Sequence, residues 1–201
     1  MIPPTALLLL LLLLCLEGAK GVTCSGAQID IVLCLDGSGS MGRHYPKVQT
    51  FANDLMKKFT ISSSATKVAV LRFESDVTDG TNGFSGSASA IKTAIDVPLP
   101  GGITNTHKCI DEGKALFASS GRTGAAQLMV LMTDGSPTNQ KAAETAAASA
   151  IAAGIVMLGV GANVGSYGRP NVLKMTSNQC PANRGGCSEG LKNLPGKKLL
   201  D

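Results

Sequence analysis

Four strand-length runs, residues 29–35, 67–73, 128–132 and 155–160, are apolar almost throughout, with stretches of helical character between them. Near-continuous apolar runs belong to parallel strands covered on both faces, whereas strands wetted on one side alternate apolar and polar residues. The intervening segments supply the covers. Val48, Phe51, Ala52, Leu55, Met56 and Phe59 recur at the spacing of one face of a helix of about four turns, and Pro46 suits its first turn. Ser87 or Ser89 can cap a short helix carrying Ile91, Ala94 and Ile95, which Pro98 and Pro100 end. A third helix has Cys109, Ile110, Gly113, Leu116 and Phe117 on its apolar face. Residues 141–153 are rich in alanine, the strongest helix former, and Gly154 stops them. Residues 171–177 predict a last helix, residues 75–86 a loop with a short edge strand near Val77, and residues 178–201 show no clear period. Strands alternating with helices predict an α/β fold: a three-layer, doubly wound, mostly parallel central sheet with helices on both faces.

The 201 residues suffice for one domain with a substantial core. Residues 1–21 read as a secretory signal peptide. The apolar block at 7–16 is too short to span a bilayer comfortably, and small residues at Ala19 and Gly21 precede a cut at Val22. No later stretch is apolar for long enough to cross a membrane, so the mature chain is expected to be secreted and extracellular. Removing the signal discards Cys15 and leaves Cys24, Cys34, Cys109, Cys180 and Cys187. An odd number leaves one thiol free or bonded to another chain, a route to oligomers, while an oxidising compartment favours bridges among the rest. Cys24 is expected to pair with Cys180 or Cys187, tying the chain ends together. Cys34, inside an apolar strand, reads as a buried small hydrophobe. The chain has no Asn-x-Ser/Thr glycosylation acceptor, no paired Cys/His zinc spacing and no Arg-Gly-Asp.

Chemistry concentrates at two strand ends. The first run closes in Asp36-Gly37-Ser38-Gly39-Ser40-Met41-Gly42, the third in Thr133-Asp134-Gly135-Ser136. In a doubly wound sheet, ligand sites form beyond the carboxyl ends of the strands. The loops 36–42, 101–106 and 133–138 all fall at that edge. Together they gather Asp36, Ser38, Ser40, Thr104 and Asp134, five oxygen donors of which two are carboxylates. Ionised carboxylates buried side by side repel unless a cation lies between them, and Mg²⁺ or Ca²⁺ accepts neutral hydroxyls too.

The Asp36-x-Ser38-x-Ser40 motif, Gly-Gly-x-Thr-x-Thr around Thr104 and Met132-Thr133-Asp134-Gly135 together resemble the von Willebrand factor type A domain with its metal-ion-dependent adhesion site. The similarity covers about residues 28–195, leaving residues 196–201 as a C-terminal tail. It implies a mostly parallel sheet with one antiparallel edge strand. It also implies an Mg²⁺ ion, with Mn²⁺ or Ca²⁺ suiting the same donors, coordinated by the hydroxyls of Ser38, Ser40 and Thr104. Asp36 and Asp134 would then act through bound water or hydrogen bonds to the serines. Ligands that are mostly neutral leave the ion positive enough to take a Glu or Asp carboxylate from an extracellular partner, a matrix protein or a cell-surface receptor. The resemblance thus implies a binding module, not an enzyme.

Other readings fit less well. Gly37-x-Gly39-x-x-Gly42 has the setting of a dinucleotide-binding turn. However, no acidic residue stands about 20 positions on, and Asp36 would repel a pyrophosphate. Ser38 or Ser40 with His44 or His107 and Asp134 has the residue types of a hydrolytic triad, but neither serine stands in a Gly-x-Ser-x-Gly elbow. His107 reads as a solvated surface residue. A matrix component with a purely structural ion remains the chief alternative. Net charge is +4 and aromatics are only 3% of the chain, so no stacking surface for nucleic acid is expected; Lys192, Lys197 and Lys198 read as a solvated end.

Overall fold

The computed structural model describes residues 28–162, 164, 166 and 168–177. The expected signal peptide, the expected Cys24 pairing, the expected C-terminal tail and the stretch from 178 onward, for which the sequence shows no clear period, lie outside these residues. Five strands form one sheet: β1 (Ile29–Asp36), β2 (Thr66–Phe73), β3 (Val77–Asp79), β4 (Ala126–Thr133) and β5 (Val156–Gly161). Their spatial order is β3-β2-β1-β4-β5, and only β3 runs antiparallel to its neighbour. The helices are α1 (Tyr45–Met56), α2 (Ala88–Ile95), α3 (Thr106–Ser120), α4 (Gln140–Ala152) and α5 (Gly168–Lys174). A 3₁₀ segment, Gly39–His44, leads into α1. The expected fold class and the antiparallel edge are both present.

β1 is buried along its whole length, and its alternate side chains feed two cores. Ile31, Leu33 and Leu35 pack with Val48, Ala52, Ile91 and Ile95 of α1 and α2. Val32 and Cys34 pack with Ile110, Phe117, Ala143 and Ala147 of α3 and α4. The alanine face of α4 lets that helix lie close to its neighbours, and Lys114 on α3 donates to Ser149 Oγ on α4 at 2.7 Å. Capping follows the expected chemistry: Ser87 Oγ accepts from Ala90 N, and Asn139 Oδ1 from Ala142 N. Two helices shift from the sequence expectation. α1 closes at Met56, so Phe59 packs into the core from the following turn, and the last helix runs from Gly168 to Lys174, not 171–177.

Two long-range pairings were hidden in the apolar runs. Cys34 is not a lone buried hydrophobe; it forms a disulfide with Cys109 of α3, with Cα atoms 6.2 Å apart. The chain-entropy model gives a loop of this length, 75 residues, roughly 4–5 kcal/mol of stabilisation through the unfolded state. At the opposite end of β1, Asp30 is fully buried and meets Arg122. Arg122 N donates to Asp30 Oδ2 at 2.7 Å and Arg122 Nε to Oδ1 at 2.9 Å. The same guanidinium donates to the carbonyls of Ile29, Ser63 and Ala65, stapling three chain segments at the base of the sheet.

The outer edge of β2 is closed as well. Val77–Asp79 pair with residues 71–73, Gly80 N donates to Val70 O, Thr81 Oγ1 accepts from Val70 N, and Val68 and Ser85 exchange two backbone hydrogen bonds.

Because an uncompensated buried charge costs far more than the pair gains, Arg122→Met is expected to lower unfolding free energy by about 3–5 kcal/mol. The double variant Asp30→Asn/Arg122→Met should recover much of that loss, as read by urea denaturation.

Candidate metal centre at the carboxyl edge of the sheet

β1 and β4 are adjacent and parallel, so Asp36 and the Thr133-Asp134 pair emerge from neighbouring strand ends. The Asp36 carboxyl is fully buried. Ser38 N donates to its Oδ1 at 2.9 Å, and Thr133 Oγ1 to its Oδ2 at 2.6 Å. Burial pushes the Asp36 carboxyl above the usual carboxylate range, the hydrogen bonds from Ser38 and Thr133 pull it back, and the Asp134 charge adds a smaller upward push. The two carboxylates therefore share one electrostatic environment at this rim.

The serines stand directly above. Ser38 and Ser40 place their Oγ atoms 3.1 Å apart; Ser38 is buried and Ser40 is exposed. Loop 36–42 is bound to loop 101–106 through the backbone: Gly101 N donates to Gly37 O and Gly39 N to Gly102 O, each at 3.0 Å. Gly101 (φ +80°) and Gly102 (φ +117°) occupy left-handed backbone that a side chain would strain. Thr104 follows, only 7% exposed, while its neighbour Ile103 is 51% exposed beside it. Loop 133–138 joins the others through a reciprocal pair: Thr104 N donates to Thr138 Oγ1 and Thr138 N to Thr104 O, both at 2.9 Å.

All five expected residues thus lie on three loops that contact one another at one edge of the sheet. Asp36, Ser38 and Thr104 form its buried floor, with Ser40 exposed and Asp134 half-buried toward solvent. Among the described residues, no three of His, Cys, Asp and Glu are grouped to hold a metal. A cation held here would rest on hydroxyls as much as on carboxylates, the oxygen set that Mg²⁺, Mn²⁺ or Ca²⁺ takes.

Neither histidine joins the serines. His44 Nε2 accepts from Arg43 Nε at 3.3 Å. His107 is half-buried, not the solvated residue expected, and lines a groove between α3 and α4 with Asp111, Asn139, Lys141, Thr145 and Ser149.

Two residues the sequence did not single out organise the floor. Thr133 donates to Asp36 and accepts from Gly135 N at 3.1 Å, and Thr138 fastens Thr104. Only the strand-end position of Thr133 beside Asp134 could have drawn attention to it. Loop 133–138 also rests on α5. Asn171 Nδ2 donates to Gly135 O, and a Cβ on Gly135 would lie 2.4 Å from Gly168 O, so only glycine permits this approach.

Comparison with known proteins agrees with this geometry. Human integrin alpha-11 is 33% identical over 113 residues, covering 53% of this chain and 9% of the integrin. The collagen alpha-1(XII) chain of Notophthalmus viridescens is 30% identical over 127 residues, covering 58% of this chain and 13% of the collagen. The chain therefore spans only about a tenth of the length of these relatives. Among solved structures, manganese-loaded Plasmodium vivax TRAP protein superposes with a TM-score of 0.66 at 24% identity, covering 79% of this chain and 65% of that one. Mussel proximal thread matrix protein 1, with a zinc-occupied MIDAS motif, gives 0.65 at 23% identity, covering 75% of this chain and 39% of that one. The sequence profile of the von Willebrand factor type A domain matches residues 30–182, most of the chain. With that match, the sheet order and the three converging loops, this chain belongs to the von Willebrand factor type A domain family.

Proposed function

We propose that this chain is a secreted, extracellular adhesion module that captures an acidic residue of a partner protein through a divalent cation, and that it catalyses no reaction. In this reading residues 1–21 are a signal peptide, 28–195 the working domain and 196–201 a tail. Mg²⁺ is the expected ion, with Mn²⁺ or Ca²⁺ as substitutes, at Asp36, Ser38, Ser40, Thr104 and Asp134. The observation that carries it is the pair of hydroxyls, Ser38 and Ser40, 3.1 Å apart over a buried and raised Asp36 carboxyl. A buried carboxylate needs a compensating charge, and a cation seated on those hydroxyls supplies it. The integrin and collagen relatives, proteins of cell surface and matrix by name, support the extracellular setting. No helix among the described residues is long and apolar enough to cross a membrane.

The chain's own residues divide the work. Ser38, Ser40 and Thr104 offer neutral oxygens, so a bound ion keeps its appetite for an external carboxylate. Asp36 and Asp134 orient those hydroxyls and balance charge. Thr133 and Thr138 hold the carboxylate and Thr104 in place. Ile103, exposed beside Thr104, offers an apolar contact next to the acidic anchor.

Partner capture from extracellular material is expected in Mg²⁺ and absent in EDTA, and Ser38→Ala or Asp134→Ala should abolish it while the circular dichroism spectrum stays native. Capture that persists in EDTA would rule out the mechanism; a melting shift with Mg²⁺ but unchanged capture would make the ion structural. At about 100 times its Kd, Mg²⁺ should add about 2.7 kcal/mol, or roughly 5–10 °C in Tm, to the wild type and nothing to Asp134→Ala. Thr133→Val keeps the side-chain shape but strips the hydroxyl from Asp36. It is expected to cost about 1–3 kcal/mol in urea unfolding and to shrink the Mg²⁺ shift.

A further inference from the structure

The disulfide between Cys34 and Cys109 lies directly beneath the candidate metal centre. Cys34 is two residues before Asp36 on β1; Cys109 is five residues after Thr104 and sits in the first turn of α3. Both are fully buried, in the layer between the sheet and α3. β1 is fixed in register by hydrogen-bonded strands on both sides. α3 has no such ladder. It rests on the sheet through Ile110, Gly113 and Phe117, and at Gly113 a Cβ would come within 2.6 Å of Met129 Cε and 3.0 Å of Val32 Cγ1. Hydrogen bonds tie its start to the loop after β2, from Asn105 N to Glu74 O and from Asn105 Nδ2 and Lys108 Nζ to Ser75 O, and Lys114 ties it to Ser149 of α4, but the disulfide is its covalent link to β1. Loop 101–106 leads directly into α3, so any slide of that helix carries Thr104 relative to Ser38 and Ser40.

We propose that the Cys34–Cys109 bond is a positioning element of the cation site. It locks α3 to β1 and so holds the hydroxyl of Thr104 at the distance from Ser38 and Ser40 that a single ion requires. This inference rests on the metal reading above. A bridge acting only on the unfolded chain would raise stability and leave the folded protein's cation affinity untouched. A positioning bridge alters affinity in molecules that are still folded.

Mn²⁺ binding by calorimetry, on protein whose circular dichroism is native, separates the two. Cys34→Ala/Cys109→Ala and the better-filled Cys34→Val/Cys109→Ala are expected to bind Mn²⁺ about tenfold more weakly than wild type, a coupling of ordinary size between linked sites. Wild-type protein reduced in place by a water-soluble phosphine should lose the same affinity with no side chain removed. In that step the phosphine takes the oxygen of a water molecule, the S–S bond breaks, and the two hydrogens of the water end on the two sulfurs. Reoxidation should restore binding. Native variants or native reduced protein that bind within about twofold of wild type would overturn the proposal, as would reduced protein that simply unfolds. Oxidised wild type that fails to bind Mn²⁺ would overturn the metal reading itself, a different result from unchanged binding on reduction.

Discussion

A carboxyl group, that of Asp36, sits at the end of the most buried strand in the molecule, where water cannot reach it. Desolvating such a group is costly unless hydrogen bonds or charge compensate. The surrounding structure answers that cost piece by piece. The Gly37-Ser38 turn brings a backbone N–H onto one oxygen, and the neighbouring strand end brings the Thr133 hydroxyl onto the other. In the proposed function a cation at the hydroxyl-lined rim supplies the rest of that compensation. The sheet order matters because placing β4 beside β1 delivers Thr133 and Asp134 to the same spot.

The three rim loops are joined largely by main-chain groups. Loop 36–42 meets loop 101–106 through four glycines, loop 101–106 meets loop 133–138 through the Thr104–Thr138 pair, and loop 133–138 meets α5 where Gly135 faces Gly168. Glycine at these points removes the side-chain bulk that would keep the backbones apart. Displacement of one loop is therefore transmitted to the next through short, directional bonds. At the far end of the sheet, the Arg122 fork onto Asp30 and three carbonyls fixes the base. The architecture pairs a stapled base with a rim of interlocked loops.

Much of this was legible from local pattern. The runs at 29–35 and 128–132 are strands because continuous apolar residues demand cover on both faces, and the carboxylates closing them mark the edge where ligands bind. Pairings between distant residues were not legible. Asp30 interrupts an apolar run, and nothing local to it names Arg122, 92 positions away. Cys34 has the surroundings of a buried hydrophobe and is one, yet its partner is set by where α3 lands on the sheet. The roles of Thr133, whose hydroxyl donates to Asp36, and of Thr138, whose hydroxyl accepts from Thr104 N, were not legible because such threonines have the same sequence signature as threonines facing solvent. The boundaries of α1 and α5 moved by a few residues, the usual ambiguity where a turn continues an apolar face.

The sealed margin of β2 bears on life at high protein concentration. An open strand edge presents unmet amide and carbonyl groups that recruit strands from neighbouring molecules. Here the stretch from Val77 to Ser85 satisfies those groups from within, even enlisting the Thr81 hydroxyl where no strand is available. On that flank the long strand β2 is not itself available to a neighbouring molecule, and the edge that remains is the three-residue β3, a short edge of the kind that limits pairing between molecules.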